Sequence, residues 1–289
     1  LRVRAAPPLP RWELLVDDLK KNGRGDDWIA AGGLKGCVDG SLGSHTAAMR
    51  EPYWDAPSDR GLLVNSPDEL YDWTASADAA GLQVMVHAIG DRAIRLQLDI
   101  FQRVARENGP RDRRFRIEHA QHIHPDDLPR FSKLGVLASM QPYHAIDDGR
   151  WAEGVIGQQR SRTSYAFRSL LDAKTRLAFG SDWFVAPASV TKGIYAAVTR
   201  RTLDGKHADG WVPEQRITVE EALRAYTIDA AFAMFAEDQI GSLEKGKLAD
   251  LVVLEPDLTR SDPVDIDKVQ VTCTIIGGEV AYASDGLNE

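Results

Sequence analysis

Three polar residues close mainly apolar stretches of this chain. His87 follows Val84, Met85 and Val86; His119 ends Phe-Arg-Ile-Glu-His at 115–119; Asp182 ends Arg-Leu-Ala-Phe-Gly-Ser-Asp at 176–182. Such runs read as strands of a parallel sheet covered by helices, and the carboxyl ends of parallel strands are where loops converge to build sites. A single histidine there is an ordinary hydrogen-bonded core residue, but three polar strand ends form a constellation. Neutral imidazoles and a carboxylate suit a divalent transition metal such as zinc, and an aspartate beside bound water can take the proton that hydrolysis must move.

The elements that position these residues can be read in order. Residues 1–6 predict a short strand, Pro7, Pro8 and Pro10 a turn, and Trp12, Leu15 and Leu19 a helix closed by Gly23. A strand is expected over 29–39, with Lys35 near its middle and Asp39 at its exit. A loop without periodicity then runs to about Asn65, and connections that long are usually functional. Ser66-Pro67-Asp68-Glu69 is a capping box opening a helix through Leu70, Trp73 and Ala77. After the His87 strand, Asp91 is placed to cap a helix striped by Ile94, Leu98, Phe101 and Val104. Beyond His119 come a short helix (Leu128, Phe131, Leu134), a strand over 136–142, an irregular stretch over 143–163, and a helix with Phe167, Leu170 and Leu171 ahead of the Asp182 strand. Six strand–helix units in succession imply parallel strands with right-handed crossovers.

From Thr218 the pattern changes. Thr218 to Glu221 is a second capping box, 220–235 predicts one Ala-rich helix, and 247–255 and 271–282 read as short strands with Gly241, Gly246, Gly277 and Gly278 at the turns. This tail is a small β unit. Its apolar strands must pack on something, and an open or partner-covered sheet edge, with association into homo-oligomers, is expected. Residues 284–289 are expected to fray.

Composition excludes several classes. No apolar run approaches the ~20 residues that span a bilayer, so no membrane partner is expected. A net charge of −8 over 289 residues argues against a nucleic-acid surface. Cys37 and Cys273 are too few for a disulfide framework, which makes a reducing, cytoplasmic setting the default.

Four separated stretches together resemble the amidohydrolase superfamily, and within it the metal-dependent hydrolases akin to N-substituted formamide deformylase (amidohydrolase family 3). They are Leu34-Lys35 with Asp39-Gly40-Ser41-Leu42-Gly43, His87-Ala88-Ile89-Gly90-Asp91, Ile117-Glu118-His119-Ala120-Gln121, and Gly180-Ser181-Asp182-Trp183. The C-terminal pieces Ala225-Tyr226-Thr227, Ile240-Gly241-Ser242-Leu243 and Gly246-Lys247-Leu248-Ala249-Asp250-Leu251 fit the same group, so the likeness covers nearly the whole chain.

The resemblance implies an α/β fold, a TIM-type (β/α)8 barrel of which strands three to eight lie here, spanning residues 1–235, with a small β domain over 236–289. On that mapping Lys35 sits on strand four and, carbamylated, would bridge two metals, because a carbamate is an anionic oxygen ligand where an ammonium would repel the cation. His87, His119 and Asp182 end strands five, six and eight as metal ligands, zinc being the expected ion, one or two in number. Asp182 is also the expected general base. Asp39, Asp91, Gln141, His144 and Trp183 are the expected substrate-binding residues, with Tyr143 beside them, and the implied reaction is hydrolysis of a non-peptide amide-type C–N bond in a small molecule. His122 and His124 read as surface residues or supports for the ligands, and His45 stands where the family pattern has an arginine.

Two other readings stay open at this level. One is a barrel without chemistry that binds or regulates; the other is an open, doubly wound sheet. The family also takes two ligands from a His-x-His pair on its first strand, whereas all seven histidines here lie downstream of where that strand belongs. Strands one and two are therefore expected to precede residue 1, and this polypeptide alone is expected to hold metal weakly and turn over little or nothing.

Overall fold

The structure, a computed structural model, describes residues 1–284; the frayed end expected over 284–289 lies, beyond Ser284, outside the described residues. In chain order the elements are β1 (Val3–Ala5), α1 (Trp12–Asn22), β2 (Ile29–Ala31), β3 (Leu34–Cys37), α2 (Pro67–Ala79), β4 (Val84–Ala88), α3 (Asp91–Glu107), β5 (Arg116–His119), α4 (Leu128–Leu134), β6 (Leu137–Met140), α5 (Pro142–Asp148), α6 (Ala152–Ile156), α7 (Gln158–Ser161), α8 (Phe167–Asp172), β7 (Leu177–Phe179), α9 (Val190–Thr199), α10 (Val219–Tyr226), α11 (Ile228–Ala233), β8 (Leu251–Glu255), β9 (Gln270–Ile276) and β10 (Glu279–Ala283). They divide between two compact units, Leu1–Met140 with Trp151–Arg176, and Gln141–Arg150 with Leu177–Glu289.

The first unit is built on parallel pairing of β3 with β4, β4 with β5 and β5 with β6. Because side chains alternate along a strand, the register decides which residues share a face. Lys35 stands beside Met85, Met85 beside Arg116, and Arg116 beside Leu137; one step on, Cys37, His87, Glu118 and Ser139 form the next row of the same face. Val84, Val86, Ile117 and Ala138 alternate to the other face and are buried. The strand expected over 29–39 is two pieces, broken at Gly32-Gly33, and its partner is the N-terminal stretch: Val3 to Ala5 pairs in parallel with Ile29 to Ala31, and Pro8 bridges Lys35. Pro7 and Pro8 donate no N–H and two glycines pack no side chain, so the ladder thins where they meet.

Helices α2 and α3 form as their signals predict. Ser66 Oγ accepts from Glu69 N at 3.3 Å and the Glu69 carboxylate accepts from Ser66 N at 3.0 Å, closing the capping box. The stripe Ile94, Leu98, Phe101 and Val104 is buried, with the Phe101 ring stacked on Phe115, centroids 4.2 Å apart. The cap of α3 is Gly90, not Asp91, whose carboxylate instead accepts a loop amide. The stretch over 143–163, expected to be irregular, holds three helices of seven residues or fewer. Gly149 and Gly157 end two of them, so no apolar periodicity accumulates.

In the second unit the sequence reading passed over α9, which Ser189 caps by accepting from Lys192 N. The single helix expected over 220–235 breaks at Thr227, whose ψ of −97° is not helical. The tail is a three-stranded antiparallel sheet in the order β10-β9-β8, with a hairpin turn at Gly277 and Gly278, both at positive φ as a two-residue turn of this hand requires. Its apolar strands are not fully covered: Val252, Val280 and Tyr282 are about half exposed or more. None of the described helices is long and apolar enough to cross a membrane.

Candidate metal centre

His87 lies one residue before the end of β4 and His119 is the last residue of β5. An extended continuation of β5 would send His119 to the face of Ile117, away from His87. The chain does not continue extended: His119 has φ 72° and Ala120 φ 45°. Left-handed backbone at non-glycine residues costs on the order of 1–3 kcal/mol each and is kept only where the surroundings hold it, typically at functional positions. Here Ala120 N donates to Ala88 O at 3.1 Å and His122 N to Ile89 O at 3.1 Å, pinning the turn to β4. The outcome is an imidazole pair, ring centroids 4.5 Å apart and planes at 68°.

The loop after β3 orients His87. Its Nε2 lies 2.9 Å from the Gly40 carbonyl, so the proton sits on Nε2 and Nδ1 carries the lone pair. Gly40 and Gly90 must be glycines: a Cβ at Gly40 would meet Thr46 Oγ1 at 2.0 Å and one at Gly90 would meet Ala48 O at 2.1 Å. Asp39, expected to touch substrate, is instead fully buried. Its carboxylate accepts from Ala48 N at 2.8 Å, Ile89 N at 3.0 Å and Gly90 N at 2.8 Å, and its Oδ1 is 3.5 Å from His87 Nε2. It therefore anchors the loop to the end of β4. Burial pushes its carboxyl up to about 7 against the opposing pull of those amides.

Lys35 is half-buried on the same face, one row from His87, and its ammonium makes no hydrogen bond or ion pair among the described residues. Beside His87 lies a polar network that an apolar reading of β5 overlooked. Arg116 Nε donates to Glu118 Oε1 at 2.7 Å and Ser139 Oγ donates to Glu118 Oε2 at 2.6 Å. Its signal was present as Arg116 and Glu118 alternating with Ile117.

Asp91 is buried and its Oδ1 accepts from Arg50 N at 2.8 Å; burial raises its carboxyl above the usual range, partly offset by that bond. His122, expected at the surface or as a support, is buried with Nδ1 2.8 Å from Ser164 Oγ, because the 119–123 backbone turns inward after the left-handed residues. His124 is partly exposed, 3.4 Å from Asp126. His45, also left-handed, pairs with Asp55 at 3.0 Å and packs edge-on against Tyr53, so it braces the loop.

In the second unit Gln141 is buried at the N-cap of α5 and His144 lies in its first turn. Burial lowers the His144 imidazole, while the Asp182 and Asp147 charges pull it back up, so His144 and Asp182 feel one another. Strand β7 ends at Phe179, three residues short of Asp182, which is exposed at φ 56°. Val185 N donates to Asp182 O at 2.8 Å, closing a turn that leaves Trp183 71% exposed.

The donor types fit a divalent transition ion. The paired imidazoles of the first unit, one with its proton fixed by a backbone carbonyl, supply neutral nitrogens; within the second unit, His144 and Asp182 are an imidazole and a carboxylate of the same donor types.

A family model described as the amidohydrolase family matches residues 3–282. The chain is 43% identical over 277 residues to protein LONG AFTER FAR-RED 3 of Arabidopsis thaliana, covering 95% of this chain and 47% of that protein. It is 30% identical over 227 residues to an N-substituted formamide deformylase of Arthrobacter pascens, covering 78% of this chain and 41% of that one. Among solved structures, an uncharacterized metal-dependent hydrolase from Pyrococcus horikoshii OT3 superimposes with a TM-score of 0.79 at 32% identity, covering 91% of this chain and 52% of that chain. The chain thus spans about half the length of the curated relatives it matches. The fold is that of the TIM-type α/β metal hydrolases with a small C-terminal antiparallel sheet, and the open-sheet alternative is set aside.

Proposed function

Because this chain belongs to the amidohydrolase family, we propose that it carries the hydrolytic centre of an enzyme that cleaves a non-peptide amide-type C–N bond, in an N-formyl, N-acyl or cyclic amide. The observation that supports this best is the His87–His119 pair, two imidazoles at the ends of neighbouring parallel strands with the His87 proton directed to a backbone carbonyl. His87, His119 and Asp182 would hold the ion, with Lys35 as a carbamate adding an anionic oxygen. A bound divalent ion, zinc by its donors, would supply Lewis acidity and lower the pKa of the attacking water to about 7. With the ion bound, Asp182 would accept a proton from the attacking water and pass it to the leaving nitrogen. Gln141, His144 and Trp183 border the scissile group, the indole of Trp183 favouring an apolar substituent on the amide. Asp91 is the remaining proposed substrate contact, its Oδ1 already holding the Arg50 amide, whereas Asp39 acts through His87 and the loop. The C-terminal β sheet of β8, β9 and β10, the core of the small domain proposed over the chain's tail, carries none of these groups. The setting is cytoplasmic, without nucleic-acid or membrane partners.

The test is metal content by mass spectrometry on the purified protein, combined with hydrolysis of a panel of N-formyl, N-acyl and cyclic amides. Zinc held below stoichiometry, with at most weak turnover of a panel member, is expected of this polypeptide by itself; stoichiometric zinc with efficient turnover would show that it carries a complete centre. His119→Ala should lose metal, and Asp182→Asn should keep most of it while losing about 100-fold or more in kcat. Zinc that fails to bind after reconstitution would favour a barrel retained for binding alone, and full turnover by Asp182→Asn would remove the assigned base.

A further inference from the structure

The first unit contains a cavity of about 410 Å3, within the range of small-molecule sites, that includes neither His87 nor His119. Its buried surface comes from Met49, Asp91, His122 and Ile123, and half-buried Arg160 and exposed Arg162 stand around it. Two features suggest a ligand rather than a packing defect. His122 is 3% exposed, with Nδ1 engaged by Ser164 and Nε2 shut from solvent without a hydrogen-bond partner among the described residues. A buried polar atom in that state costs roughly 1–3 kcal/mol unless something bonds to it. The Arg160 guanidinium is held by donation to the Ile156 carbonyl at 2.5 Å and the Glu51 carbonyl at 3.1 Å, which fixes a cation at the cavity wall.

The charges select among ligands. Arg160 and Arg162 bring two positive charges and Asp91 one negative, while burial first, and Arg160 second, hold the His122 imidazole neutral by lowering it to about 3. Two guanidiniums at the wall suit an anion, and the buried Asp91 carboxylate favours a monoanion over a dianion. Met49 and Ile123 offer apolar contact for the rest of the molecule. We infer that this cavity binds a small monocarboxylate with an apolar tail, its carboxylate against Arg160 and Arg162 and its tail over Met49 and Ile123.

Titration calorimetry on the purified protein tests this with hexanoate, its neutral isostere hexanamide and inorganic phosphate. Hexanoate should bind at one site with Kd on the order of 1 mM or tighter, and the other two at least about tenfold more weakly. Arg160→Gln and Arg162→Gln should each weaken hexanoate about tenfold. Arg162 is exposed, so its variant keeps the test valid if loss of the Arg160 carbonyl bonds disturbs folding. His119→Ala should leave hexanoate binding unchanged, which separates this cavity from the proposed hydrolytic centre. The inference is overturned by no saturable hexanoate binding, by hexanamide or phosphate binding as well as hexanoate, by unchanged affinity in folded Arg162→Gln, or by loss of binding in His119→Ala.

Discussion

Asp39 and His122 show how burial assigns roles that residue type leaves open. Asp39 has the chemistry of a base or a substrate contact, yet three backbone N–H groups from two segments converge on its carboxylate. Truncation would strand all three in the core. Asp39→Ala should therefore destabilise the protein by on the order of 3 kcal/mol or more, measured by urea denaturation, and a loss below about 1 kcal/mol would contradict the anchoring role. His122 sets a pH dependence. Above pH 6.5 its ring is neutral folded and unfolded, and it contributes no slope. Below that value the unfolded chain takes up a proton that the buried ring refuses until about pH 3. Stability is thus present above the unfolded pKa and drains away as pH falls from 6.5 towards 3. Thermal melts should show that decline, and His122→Gln should flatten it; an identical profile in the variant would show that other groups cause it.

At the scale of elements, local rules and long-range contacts divide the work. The capping boxes at Ser66 and Thr218 close with both reciprocal bonds. Ser66→Ala should cost about 1 kcal/mol, read as a lower urea midpoint at unchanged m, without altering the His87–His119 pair. Strand β5 is different, because what matters is how it ends. His119 reaches His87 only through two successive left-handed residues, pinned by carbonyls of another strand. Helix α3 is likewise capped by Gly90, where the Ala48 carbonyl leaves no room for a side chain, and Asp91 in its first turn takes the Arg50 amide.

For the whole molecule, the proposed metal couples to stability by mass action. An ion that binds the folded chain and not the unfolded one adds about 2.7 kcal/mol at a concentration 100 times its Kd. Zinc should therefore raise Tm in the parent protein and leave it nearly unchanged in His87→Ala and His119→Ala, measured by calorimetry. An equal rise in the variants would place the stabilising ion elsewhere.

The alternation of strands and helices, both capping boxes, the buried stripe of α3 and the strand-end positions of His87 and His119 were legible in the sequence, because each depends on periodicity or on residues a few positions apart. The same locality explains the errors. The break at Gly32-Gly33 depends on prolines some 25 positions away, and the short helices between 142 and 161 build no stripe long enough to register. The burial of Asp39 and His122 and the turn that brings His119 to its partner belong to tertiary structure alone. Each is decided by which backbone groups from distant segments arrive at the same place, and no spacing along the chain encodes that.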